Sequence, residues 1–254
     1  MAPAAEPHRA DPSLKGKLRR RYARLTARRP AAVGPDRPMV SISFDDAPAS
    51  AAVAGAEILE RRELLGTYYI CAGMAGCEGP MGRIADLVQI ERLVAAGHEI
   101  GCHTFSHLDC GQASAGEIAE ELTRSQAGLA GVGAPEPRTF AYPYGDVSPW
   151  AKRLVGDRFE LSRALHHGLV RKGTDLNQAP AVGIEGPDGE AATWRWLDRA
   201  ISEKAWLILY THDVADDPSP WGCTPAALER LIDGALAAGA EIVTVAEGAR
   251  RVGG

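Results

Sequence analysis

A chain of 254 residues that is 45% hydrophobic and 24% charged has the length and composition of a globular protein able to bury a large core without disulfides or a structural metal. Its net charge of −5 is unevenly placed: residues 1–38 hold ten Lys/Arg against Glu6, Asp11 and Asp36, a balance of +7 that leaves −12 on the rest. An acidic body repels a phosphate backbone, which argues against nucleic acid as the main substrate. Five cysteines cannot all pair and show no zinc-finger spacing, which favours a reducing compartment. The N-terminus lacks the apolar stretch of a secretory signal, and no run approaches the length of a membrane span, so the expected location is the cytoplasm.

Residues 1–38 read as a basic Ala/Pro/Arg-rich extension and residues 39–254 as the folded body. Within the extension Leu14, Leu18 and Leu25 fall near helical spacing after Ser13, a candidate N-cap. A short basic helix of this kind suits a partner protein or an anionic membrane surface, here the inner face of the membrane; the other reading is a solvated tail. From Met39 a strand–helix alternation begins: strand to Phe44, Ala-rich helix over 49–64, strand Thr67 to Cys71, and a helix over 84–96 stopped by Gly97. Glu99 to His103 is the next strand, followed by a helix over 115–130 and a strand from Arg138 to Tyr142. Short strands are expected around 158–165 and 179–184. A helix over 190–204, the strand Trp206 to Thr211, a helix over 224–238 and a strand from Glu241 to Val245 complete the series.

Such alternation predicts an α/β fold with a parallel sheet and helices outside, in which functional groups collect at the carboxyl ends of the strands. Four polar clusters meet that expectation. In Ser43-Phe-Asp45-Asp46-Ala-Pro48 two adjacent carboxylates need a cation or distinct environments, and one can hold a metal while the other acts as base; Asp-rich turns before proline are the competing reading. In His103-Thr-Phe-Ser-His107 the four-residue spacing faces both imidazoles the same way if the segment enters a helical turn. One carboxylate and two imidazoles leave coordination positions open, the mark of a catalytic rather than a structural zinc site. His98, in Ala-Gly-His-Glu-Ile-Gly, reads instead as a structural histidine. Tyr142-Pro143-Tyr144-Gly145 gives a rigid turn with aromatic walls and a backbone N–H able to stabilise an oxyanion, or simply a turn with packed tyrosines. The apolar strand ending at His212-Asp213 delivers an imidazole suited to general acid work.

Together the four segments resemble the polysaccharide deacetylase family, the nodulation-deacetylase homology domain of carbohydrate esterase family 4, over about residues 39–246. The resemblance implies an irregular, incomplete (β/α) barrel of about seven strands, and it identifies residues 39–254 as the catalytic domain. It further implies that Asp45 is the base, that Asp46, His103 and His107 hold a divalent metal (zinc being the expected ion), and that His212 is the acid. Tyr144, Tyr142 and Pro143 would then border the oxyanion and the sugar, with Trp221 in the loop 213–224 as one wall of the cleft. The reaction implied is removal of N-acetyl groups from an amino-sugar-containing carbohydrate. The rivals are hydrolysis of an O-acetyl ester, a formamide or a non-sugar amide, and an inactive carbohydrate-binding domain. Three positions depart from the family pattern. Ala141 stands where many members have the arginine that orients the base, although members acting on poly-N-acetylglucosamine also tend to show Phe-Ala-Tyr-Pro-Tyr-Gly. The Asp-x-x-Asp-Trp motif is not recognisable, leaving Arg163 as the candidate charge in that region, and Tyr210 replaces the leucine that lines the acetyl pocket.

Overall fold

Burial on both faces marks β1 (Met39–Asp45) as the centre of the sheet, since all seven of its residues are buried. The computed structural model describes residues 11–253, and the extension before residue 11 lies outside the described residues. On one side β1 pairs in parallel with β9 (Trp206–Thr211), from Met39 opposite Trp206 to Phe44 opposite Thr211. On its other side lie β10 (Glu241–Ile242) near the start and β2 (Thr67–Ile70) near the end. Continuing outward come β5 (Glu99–Cys102), β6 (Thr139–Ala141) and β7 (Leu161–Arg163), and β8 (Val182–Gly183) lies beyond β9. A two-stranded hairpin, β3 (Glu78–Gly79) with β4 (Gly82–Arg83), stands apart.

The sheet curls without full strand pairing between its edges. Ala179 alone bridges to β7, accepting from the Ala164 N–H at 2.9 Å and donating to the Ser162 carbonyl at 2.8 Å, before the chain reaches β8. The result is the expected incomplete α/β barrel.

Alternation along each strand separates an outer from an inner face. Val40, Ile42 and Phe44 of β1, Tyr68 and Ile70 of β2, and Leu207 and Leu209 of β9 join one apolar cluster. Many of its other members come from α2 (Ala56–Glu60, preceded by the π-helical turn Ala51–Gly55), α3 (Leu87–Ala95), α6 (Gly189–Glu203) and α7 (Pro225–Ala237). Met39, Leu161, Trp206, Ile208 and Tyr210 form a separate inner cluster. Phe140 and Tyr142 sit with residues of α4 (Ala115–Gly131) and α5 (Pro149–Gly156). The inner positions continuing each strand are therefore Asp45, Cys71, His103, Ala141, Arg163 and His212, one set on one rim.

One expectation about elements is corrected. The closing strand stops at Ile242 because the chain turns into α8 (Val245–Gly253). The first N–H groups of α8 are taken up by the hydroxyl of Thr67, at 2.9 Å from Val245 N, and the carboxylate of Glu99, at 2.8 Å from Ala246 N, as helix starts require. The extension forms α1 (Leu14–Ala23), capped by Ser13, but its leucines face away from the body: Leu14 is 74% exposed and Leu18 58%. Contact with the body is made by Arg19, whose guanidinium lies 2.8 Å from the buried Asp146 carboxylate, and by Ala23, whose carbonyl accepts from Lys152 Nζ at 2.7 Å. No described helix is long and apolar enough to cross a membrane.

Candidate active site

The turn after β1 is held in the left-handed region, with φ of 56° at Asp46 and 44° at Ala47, a conformation costly for residues with a Cβ. It aims the two neighbouring carboxylates differently. Asp45 points inward and is paired with the guanidinium of Arg163, a side chain with no solvent exposure. Burial pushes the Asp45 carboxyl up, but Arg163, His103 and His212 outweigh it and hold the group below its ordinary value. Arg163 stands directly opposite Ala141 in the β6–β7 register. A cation paired with Asp45 thus stands at the same level of the barrel as Ala141, on the neighbouring strand. The guanidinium also stacks at 5.0 Å over the Tyr69 ring and 5.1 Å over the Tyr210 ring.

Asp46 faces the histidines. Its Oδ1 lies 3.7 Å from His103 Nε2 and 3.5 Å from His107 Nε2, with Cys71 Sγ at 3.6 Å. The helical turn expected to align the two histidines is absent. Thr104 and His107 instead adopt φ of 65° and 61°, and the Thr104 hydroxyl accepts from the Leu108 N–H at 2.8 Å. Glu121 of α4, a residue with no motif to announce it, fixes this loop by accepting from the N–H groups of Phe105 and Ser106 at 2.9 and 2.8 Å. His103 Nδ1 is 2.8 Å from the Ala141 carbonyl, which accepts its proton and leaves Nε2 as the free lone pair. Burial, against the opposing pull of Asp46, pushes the His107 imidazole down to about 4, so it is neutral at ordinary pH. Two imidazoles and one carboxylate, with Asp46 Oδ1 at these separations from both rings, fit a divalent metal.

Across the site, His212 follows β9 on the inner face, close enough for its charge to act on both Asp45 and His107. Its Nδ1 lies 3.1 Å from the Trp221 carbonyl and 3.8 Å from Glu185 Oε2. Glu185 was not foreseen from sequence; it follows β8, its Oε1 accepts from the Tyr210 hydroxyl at 3.0 Å, and its Oε2 is buried without a hydrogen-bond partner. Burial pushes its carboxyl up, against the pull of His212 and the Tyr210 hydroxyl.

The Tyr-Pro-Tyr-Gly turn divides its two rings. Tyr144, at φ 57°, sets its ring edge-on to His107 with centroids 4.4 Å apart. Tyr142 belongs to the outer face: it is 1% exposed, packs on Phe140, and donates its hydroxyl to the Asn177 carbonyl at 3.1 Å. Its ring is part of the core and does not form the aromatic wall that the sequence suggested. Pro143 is buried beside it within the turn. Trp221 is half-buried, and its backbone is the part that touches His212. Clefts of about 430 and 440 Å³ flank the loop 213–224, the first lined in part by Glu185, Gly186 and Pro218, the second by Ser50, Arg83 and Asp217. His98 accepts from the Gly66 N–H at 3.0 Å and meets Glu60 at 3.0 Å, the structural role its context suggested.

Residues 32–157 match the family model described as polysaccharide deacetylase. The chain is similar to a bifunctional xylanase/deacetylase of Pseudobutyrivibrio xylanivorans, 21% identical over 209 residues, which covers 82% of this chain and 30% of that protein. It is also similar to the peptidoglycan-N-acetylglucosamine deacetylase PgdA of Listeria monocytogenes, 23% identical over 46% of this chain and 24% of the other. The chain thus spans less than a third of the length of these curated relatives. Its fold matches that of a family 4 acetyl xylan esterase from Clostridium thermocellum, solved in complex with a cobalt ion, with a TM-score of 0.56 at 21% identity over 82% of this chain and 89% of the other.

Proposed function

From the membership of this chain, through residues 32–157, in the polysaccharide deacetylase family, we propose that it is a metal-dependent hydrolase removing N-acetyl groups from an amino-sugar-containing oligo- or polysaccharide. The observation that carries this reading is a division of labour between neighbours: Asp45 is tied to Arg163 while Asp46 is turned to His103 and His107. Asp46, His103 and His107 would hold the metal, most naturally zinc. Such an ion, when bound, polarises the acetyl carbonyl and acidifies its water.

The chain's own groups do the rest. Asp45, kept ionised by Arg163, takes the proton of the attacking water. The backbone N–H of Tyr144 donates to the oxygen on which negative charge develops. His212, with Nδ1 turned to the Trp221 carbonyl, presents Nε2 to protonate the departing amine, without which an amide does not expel it. Tyr144 and Trp221 offer ring surface to the sugar. Five cysteines cannot all pair, which favours a reducing location such as the cytoplasm.

The test is acetate release from N-acetylated oligosaccharides by the zinc-loaded protein, set beside O-acetyl esters and formamides. Asp45→Asn and His212→Ala should each lower turnover by roughly a hundredfold or more while binding the same amount of metal. Wild-type turnover in either variant refutes its assigned role, and preferential formate or ester cleavage refutes the substrate class.

A further inference from the structure

Cys71 follows β2 on the inner face of the barrel and is fully buried beside the three donors already described. Its Sγ lies 3.6 Å from Asp46 Oδ1 and donates to the His103 carbonyl at 3.1 Å. Single donor atoms of Asp46, Cys71 and His103 all fall within 4.8 Å of one another. In a tetrahedral site with bonds of about 2.0–2.1 Å to nitrogen or oxygen and about 2.3 Å to sulfur, neighbouring donors stand roughly 3.3–3.6 Å apart. Measured from Asp46 Oδ1, His103 and Cys71 lie at 3.7 and 3.6 Å, close to two edges meeting at one corner, and His107 lies 3.5 Å from the same oxygen without joining the mutually close set.

The other cysteine next to this region behaves differently. Cys102 precedes His103 but belongs to the outer face, where its Sγ donates to the Ser125 hydroxyl at 3.3 Å. Strand alternation therefore directs one thiol to the helices and the other to the donor cluster.

We propose that Cys71 is a further protein donor to the metal of this site, with water and the acetyl oxygen entering as the coordination shell expands beyond four, and that its sulfur makes the site selective for thiophilic ions such as zinc and cadmium over manganese and magnesium. The proposal rests on the reading of Asp46, His103 and His107 as ligands. A soft sulfur donor favours such ions, whereas a site of carboxylate and imidazole alone discriminates less. As the sulfur–metal bond forms, the S–H bond breaks and its proton passes to solvent.

The experiment is titration of metal-free protein with Co²⁺, followed by absorption. Wild type should show the visible ligand-field bands of a bound ion together with a near-ultraviolet sulfur-to-cobalt charge-transfer band. Cys71→Ser and Cys71→Ala should keep the visible bands and lose the near-ultraviolet one. Their affinity for Cd²⁺ should fall at least tenfold more than their affinity for Mn²⁺. Visible bands without charge transfer in wild type, or charge transfer that survives in both variants, overturns the role of Cys71 and leaves the metal-site reading standing. If no cobalt binds to folded wild-type protein, the metal-site reading itself fails and Cys71 falls with it.

Discussion

At the scale of single residues, two charged pairs set the site's chemistry. The guanidinium of Arg163 is fully buried and its partner Asp45 nearly so, and removing one member of such a pair leaves a charge without compensation. Arg163→Met should therefore lower stability by about 3–5 kcal/mol, and adding Asp45→Asn should recover most of that loss. Chemical denaturation of the single and double variants checks this; if the second substitution recovers nothing, the ion pair is not the cause. The same change has a kinetic consequence. Arg163 holds the Asp45 carboxyl down, so without it the base becomes protonated at higher pH, and the acid limb of the turnover profile should move upward. Glu185 stands on the other side of the site, with its carboxylate 3.8 Å from His212 Nδ1.

At the scale of elements, the central strands were legible from their apolar residues: Trp206–Thr211, an almost unbroken apolar run, matches β9 residue for residue, and β1, in which Val40, Ile42 and Phe44 alternate with Ser41 and Ser43, extends its expected range only by Asp45. The helix that ends before Gly97 has its glycine at φ 86°, as the stop signal implied. Less was readable where the local pattern is short. α5 went unseen because Ser148-Pro149 opens a helix of only eight residues inside a Pro- and Gly-rich stretch. α8 was hidden because Val243 and Val245 read as strand, and its start depends on Thr67 and Glu99, which are distant in sequence. The site follows the same rule. Asp45, Asp46, His103, His107 and His212 are visible as motifs, but the supports are not, since each comes from another element. Arg163 reaches Asp45 through the β6–β7 register, Glu121 reaches the histidine loop from α4, and Glu185 approaches His212 from β8. The inward turn of Cys71 and the outward turn of Tyr142 follow from strand parity, which can be counted only once strand limits are known.

At the scale of the whole molecule, the basic extension is tied to the site by charge. Asp146 lies two residues beyond Tyr144, has no solvent exposure, and is held by Arg19 at 2.8 Å and Arg20 at 3.5 Å. Lys152 of α5 is also fully buried, donating to the Ala23 carbonyl at 2.7 Å and pairing with Asp175 at 2.5 Å. Farther along, the N–H groups of Ala31 and Ala32 donate to the carbonyls of Thr174 and Val252, at 2.7 and 2.8 Å. Removing residues 1–24 would expose part of the Asp146 surface, but would also strip a buried carboxylate of both cations. A loss of about 3–5 kcal/mol is expected for a pair broken in this way. In a protein of this size that corresponds to a fall in Tm on the order of 10 °C. Asp146→Asn in the truncated chain should restore part of the loss, because the uncompensated charge is gone, whereas in the full-length chain it should destabilise by leaving Arg19 and Arg20 facing no anion. The one substitution thus carries opposite signs in the two backgrounds. Thermal melts of the four proteins decide it: equal effects of Asp146→Asn in both chains would mean that the extension merely covers the body and does not brace the turn that carries Tyr144.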